Sequence, residues 1–141
     1  MPFEFRILIE KTEMLPLWPL LQQLNDKVTE TYLNEMLDDM IQHGYRMAGI
    51  WEHGHCLGVS GIWVTTKLYS GKYLEMDNVV VAAEARSRGI GKLLTDFVTN
   101  LAREEGCNMM MLDAYLENEK AHLFYEREGF VKKGYHFLKQ L

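Results

Sequence analysis

Between residues 73 and 114 the hydrophobic pattern changes period twice. A strand-like run ends in Val79, Val80 and Val81, and apolar residues then recur at Ile90, Leu93, Leu94, Phe97, Val98 and Leu101, the 3.6-residue stripe of an amphipathic helix ended by Gly106. A second strand-like run follows at residues 109–114. Strand, helix and strand in this order need a parallel pair joined by a right-handed crossover, so this part of the chain belongs to an α/β sheet.

The preceding half reads differently. Residues 3–9 place Phe3, Phe5, Ile7 and Ile9 on one side of a strand. Residues 12–25 suit a helix capped by Thr12, with Pro16 and Pro19 confining its regular part to the later residues. Leu33, Met36, Leu37, Met40 and Ile41 define a second helix ended by Gly44, with Asn34, Glu35, Asp38 and Asp39 on its solvated side. Residues 45–51 and 57–65 form strands around a His53-Gly54 turn, and Ser70-Gly71 turns the chain into residues 73–81. The result is an antiparallel meander feeding a parallel pair, hence a mixed sheet. Beyond it, Asn118 caps a helix running to about Arg127, and residues 130–138 read as a closing strand. With 141 residues and 48% hydrophobic content, the whole chain is expected to be one domain spanning residues 1–141.

Composition excludes several functions. No apolar run is long enough to cross a bilayer, and Met1-Pro2-Phe3-Glu4 lacks a signal-peptide pattern, which leads to the expectation of a cytoplasmic protein without membrane partners. Cys56 and Cys107 form no Cys-x-x-Cys pair, and His53, His55 and Cys56 beside a turn are a poor metal site, so no metal is expected. A net charge of −5 argues against nucleic acid. Against that background Arg86, Arg88 and Lys92 form a local positive cluster suited to an anionic ligand of limited size.

That cluster surrounds Arg86-Ser87-Arg88-Gly89-Ile90-Gly91, placed between a strand and the amphipathic helix, where backbone N–H groups and the helix dipole favour an anion. Two glycines permit close approach, and the arginines add charge-assisted contacts. A dinucleotide fingerprint fails at Leu94, where glycine would be needed, and a phosphate loop of the Walker type fails at Arg86 and Leu93. Taken alone, the hexapeptide fits a glycine turn capping a helix as well as it fits a ligand site.

Two motifs together decide between those readings. Arg86-x-x-Gly89-x-Gly91 resembles the acetyl-coenzyme A signature of the GNAT superfamily of N-acetyltransferases, and Asp77-Asn78-Val79-Val80-Val81 looks like that family's fourth strand. Asn118-x-x-Ala121-x-x-Phe124-Tyr125-x-x-x-Gly129-Phe130 is similar to its second signature. The resemblance covers residues 73–131 and implies the GNAT fold, with acetyl-coenzyme A as co-substrate and an amine as acceptor. It implies that the pyrophosphate lies on Arg86, Ser87, Arg88, Gly89, Ile90, Gly91 and Lys92. By the same resemblance the backbone of Val79, Val80 and Val81 holds the pantetheine arm, and Asn118 and Phe124 border the cofactor. Glu75 or Asp77, two apart on one strand face, is then the candidate base, and Tyr125 the acid that protonates the leaving thiolate. Acidic Glu35, Asp38, Glu75, Asp77, Asp113 and Glu117 favour a cationic amine, on a small molecule or a peptide. An acyl-coenzyme A sensor without turnover is the alternative, and the resemblance admits a homodimer.

Overall fold

The computed structural model describes residues 2–141. Five strands form one sheet in the order of the chain. β1 (Phe3–Leu8), β2 (Arg46–Glu52), β3 (His55–Lys67) and β4 (Gly71–Val81) pair antiparallel, and β5 (Met109–Leu112) lies parallel to β4. The β2–β3 turn has positive φ at both His53 (49°) and Gly54 (79°), the combination whose twist matches that of a hairpin.

The helices are α1 (Lys11–Met14), α2 (Trp18–Gln22), α3 (Glu30–Gln42), α4 (Ile90–Glu104) and α5 (Glu119–Arg127). Thr29 caps α3 by accepting from the Tyr32 N–H at 3.1 Å. β2 and the first half of β3 are buried at successive residues, so both faces of the sheet are covered there. Leu37, Ile50, Val59, Ile62, Leu74, Leu94 and Val98 are fully buried where sheet and helices meet. Arg46 on β2 holds Glu105, just past α4, through two contacts of 2.7 and 2.8 Å. The crossover helix is thereby tied to the sheet at its far end.

Three expectations need correction. Residues 12–25 are not a single late helix but α1, a 3-10 turn (Leu15–Leu17) and α2. Pro16 and Pro19 sit in the first positions of the latter two, where a missing N–H costs no hydrogen bond. The start is capped at Glu10, whose N–H donates to the Glu13 carboxylate at 3.2 Å, and not at Thr12. In β1 the buried residue is Leu8, while Phe5 meets Phe97 of α4 edge-on at 5.2 Å between centroids and Ile9 is exposed beyond the strand. Residues 130–138 form no strand: past Phe130 the chain joins no sheet and every residue is exposed.

Candidate active site

The site is organised by an irregularity in β4. Val80 lies opposite Val59 and Asp77 opposite Gly61, so β4 carries one residue more than β3 over this interval. The bulge falls at Asn78, whose φ of 52° is a conformation that Asn tolerates better than most residues. The Asn78 amide donates to the Tyr45 hydroxyl at 3.2 Å, which fixes the bulge to the start of β2. Gly61 makes room for this arrangement, since a Cβ there would meet the Tyr45 ring at 2.7 Å and the Asp77 carbonyl at 2.8 Å.

Beyond the bulge the sheet opens. β5 pairs with β4 only from Tyr73 to Met76, so Val79, Val80 and Val81 have no strand on that side. Their edge can bond a ligand arm lying along it. At the top of this opening, Ala85 and Arg86 lead into Ser87 and Gly89, at φ 70° and 78°. Gly89 caps α4 from the left-handed region, which favours glycine. The first helical N–H to find an acceptor is that of Leu93, donating to the Gly89 carbonyl at 3.1 Å. Among the described residues no well-aligned acceptor meets the N–H groups of Ser87, Arg88, Gly89, Ile90, Gly91 or Lys92. These groups border a cleft of about 360 Å³ lined by Val81, Arg86, Ser87, Gly89, Gly91, Lys92, Phe124 and Arg127. A bare helix N-terminus with three cationic side chains around it has the chemistry to hold an anion.

The predicted residues are not all brought to this cleft. Arg88 turns away: its guanidinium makes a bidentate pair with Glu52 at 2.9 and 3.0 Å and lies over the Phe3 ring. Lys92 lines the cleft but leans on Glu128 at 3.3 Å and Asp96 at 3.6 Å. Phe124 packs against Gly91, where a Cβ would come within 3.3 Å of its ring, so Gly91 sets how closely α5 approaches the turn. Asn118 caps α5 by accepting from the Ala121 N–H at 3.2 Å. Sequence reasoning missed Arg127, whose spacing of three from Phe124 on α5 puts both on one helix face.

Tyr125 is held between Phe124 and Phe130, with ring centroids 5.2 and 5.6 Å away. Burial raises its pKa, so the phenol stays protonated at neutral pH. Among the described residues its hydroxyl has no hydrogen-bond partner, which leaves it free to donate elsewhere.

Glu75 and Asp77 lie opposite Trp63 and Gly61 on β3, on the same strand face. Asp77 accepts from the Trp63 indole N–H at 3.0 Å, and Trp63 stacks on Tyr45 at 4.9 Å. Trp63 thus orients one carboxylate, a role that sequence reasoning did not see. Glu75 is half-buried and has no such donor among the described residues. Its pKa is raised, first by desolvation and then by the charges of Asp113 and Asp77, with Lys67 and His136 opposing. A carboxylate so placed is a better proton acceptor once ionised. Near the β2–β3 turn, burial pushes the Cys56 thiol up to about 11, and among the described residues no group of three His, Cys, Asp or Glu side chains converges as metal ligands would.

The same architecture is found in enzymes of known chemistry. The aminoglycoside N-acetyltransferase AAC(6')-Iy, solved in complex with CoA, superposes with a TM-score of 0.83 over 99% of this chain and 94% of its own, at 17% identity. The fold is therefore one that acetyltransferases share. In sequence it is 28% identical over 134 residues, 94% of each chain, to the uncharacterized N-acetyltransferase YhdJ of Bacillus subtilis (strain 168). It is also 28% identical over 98 residues to the aminoalkylphosphonate N-acetyltransferase of Salmonella typhimurium (strain LT2), covering 69% of this chain and 62% of that one. The profile of the acetyltransferase (GNAT) family matches residues 14–130. The chain belongs to the acetyltransferase (GNAT) family and is an N-acetyltransferase.

Proposed function

We propose that the enzyme takes its acetyl group from acetyl-coenzyme A bound along β4 and the turn before α4, and delivers it to a primary amine of a cationic small molecule or peptide. The observation that carries this reading is the run of N–H groups from Ser87 to Lys92 that have no well-aligned acceptor among the described residues, around a cleft lined by Arg86, Lys92 and Arg127. A pyrophosphate suits that donor set, and the open edge of Val79, Val80 and Val81 suits the amide-bearing arm attached to it. When bound, the thioester supplies an activated acetyl group.

The remaining chemistry falls to the chain's own residues. An alkyl amine with a pKa of about 10.4 is neutral in only about one molecule in a few thousand at pH 7. Glu75 is assigned the role of receiving its proton, directly or through water, because Asp77 is engaged by Trp63 while Glu75 is not. Tyr125 is assigned the proton donated to the departing thiolate, its phenol being protonated and, among the described residues, unpartnered. The carboxylates on this side also favour acceptors that carry positive charge.

Calorimetric titration with acetyl-coenzyme A, ATP and inorganic pyrophosphate tests the assignment. Binding of acetyl-coenzyme A that is sharply weakened by a bulky residue at Gly89 supports it. Wild-type affinity in Gly89→Leu, or a preference for ATP, contradicts it.

A further inference from the structure

Successive residues at the β4 bulge are gripped by side chains from elsewhere in the sheet. Asp77 accepts from the Trp63 indole N–H of β3 at 3.0 Å, and the Asn78 amide donates to the Tyr45 hydroxyl, just before β2, at 3.2 Å. The two holders also touch each other, with ring centroids 4.9 Å apart at 51°. Bulge and rings therefore form one closed set of contacts.

Tyr45 is itself firmly placed. It is 2% exposed, and its N–H donates to the Met40 carbonyl of α3 at 3.1 Å. Burying a hydroxyl costs free energy that a phenylalanine would avoid, so the hydroxyl is useful only through what it bonds. Among the described residues that partner is Asn78. A residue other than glycine keeps a φ of 52° only where its surroundings over-determine it, and the phenol supplies part of that constraint. Burial raises the phenol's pKa, which keeps it neutral and out of proton transfer.

The bulge also lies between the two parts of the site that have to meet. Glu75 precedes it on β4, and the edge of Val79, Val80 and Val81 that β5 leaves open follows it. A bulge bends its strand and increases the local twist, so the conformation at Asn78 sets the distance and angle between the carboxylate and a thioester lying on that edge. A misplacement of about 1 Å at reacting atoms can cost on the order of 10²-fold in rate.

We infer that Tyr45 is a positioning residue for acetyl transfer: through Asn78 its hydroxyl fixes the bulge, and the bulge aligns the cofactor edge of β4 with Glu75. The inference rests on the reaction proposed above. The turn that cradles the pyrophosphate comes after Val81 and outside this set of contacts, so Tyr45 governs the rate of transfer and not the affinity for the cofactor.

The test uses two variants and their combination. Tyr45→Phe keeps the ring against Trp63 and removes only the hydroxyl, while Asn78→Gly removes the amide and leaves the left-handed backbone unstrained. Thiol release is followed on whichever of putrescine, phenethylamine, glucosamine and a lysine-containing peptide the wild type acetylates fastest, well below the unfolding transition of every variant. Each single variant should lose roughly tenfold in kcat, with calorimetric affinity for acetyl-coenzyme A within about twofold of wild type. The double variant should lose no more than either single one, because both remove the same contact. In the complex with acetyl-coenzyme A, amide hydrogen exchange at Val79 and Val80 should accelerate about tenfold in Tyr45→Phe, while exchange at Ile50 and Leu94 in the core stays as in wild type. Wild-type kcat in Tyr45→Phe, losses that multiply in the double variant, or a loss of cofactor affinity as large as the loss of rate would each overturn the inference. Should the wild type acetylate none of these amines, the proposed reaction is what fails, and exchange then decides alone: acceleration confined to Val79 and Val80 supports the positioning of the bulge by Tyr45, and unchanged exchange there overturns it.

Discussion

Gly89 and Gly106 bracket α4 and form a natural controlled pair. Both hold φ near the same value, 78° and 76°, and a Cβ added at either meets nothing within 4 Å. Alanine is therefore not obstructed at either place, and the cost is the left-handed backbone itself, about 1–2 kcal/mol for an L residue. Reduced freedom of the unfolded chain returns roughly 0.4–1 kcal/mol, which leaves a net loss of about 1 kcal/mol. At roughly 2.1 cal/mol/K per residue, a chain of this length unfolds with an entropy of about 0.3 kcal/mol/K, so each substitution should lower Tm by about 3 °C. Gly89→Ala and Gly106→Ala should thus be indistinguishable in thermal unfolding without ligand. They should separate in calorimetry with acetyl-coenzyme A, since only Gly89 borders the cleft. There the methyl group occupies space that the phosphates need, and the affinity should fall at least tenfold, about 1.4 kcal/mol, while Gly106→Ala binds as wild type. Equal affinities for the two variants would refute the placement of the phosphate site.

Further outcomes follow from the carboxylates and the tyrosine. The low-pH limb of kcat/KM should lie above the ordinary carboxylate range, because Glu75 must be ionised to accept a proton and its pKa is raised; Glu75→Gln should abolish that limb, and Asp113→Asn should move it to lower pH by removing one of the charges that raise it. Tyr125→Phe keeps the ring between Phe124 and Phe130 and should lower kcat by about 10²-fold or more with unchanged acetyl-coenzyme A affinity in a chemistry-limited assay. Glu105 has its pKa lowered by Arg46, so its contribution to stability is complete above the unfolded value of about 4.3 and is lost as pH falls through the lower folded value. Urea unfolding should accordingly find Glu105→Gln less stable than wild type at pH 7, with the difference shrinking below pH 4 to about nothing at the acid end.

What was legible in the sequence was local. The stripe from Ile90 to Leu101, the His53-Gly54 hairpin and the Asn118 cap each depend on residues within a turn or two of one another, and all three stand in the structure. The misses depend on contacts across the fold. Arg88 looks like part of a phosphate cluster in one dimension but is claimed by Glu52, 36 residues earlier. The Asn78 bulge is held by Tyr45, 33 residues earlier, and nothing in Asp77-Asn78-Val79 announces it. Residues 130–138 carry a real strand pattern, yet a pattern states only which segment is able to pair, and in the structure this one joins no strand.

The proposed reaction moves an acetyl group from acetyl-coenzyme A to an amine. The most direct measurement incubates the purified protein with acetyl-coenzyme A and a panel of primary amines, cationic and neutral, following both free thiol and the mass of each acceptor. Thiol release should require an amine, appear in equal amount with a singly acetylated product, and be greater for cationic acceptors. Thiol release at the same slow rate with and without every amine, and no acetylated product, would contradict it.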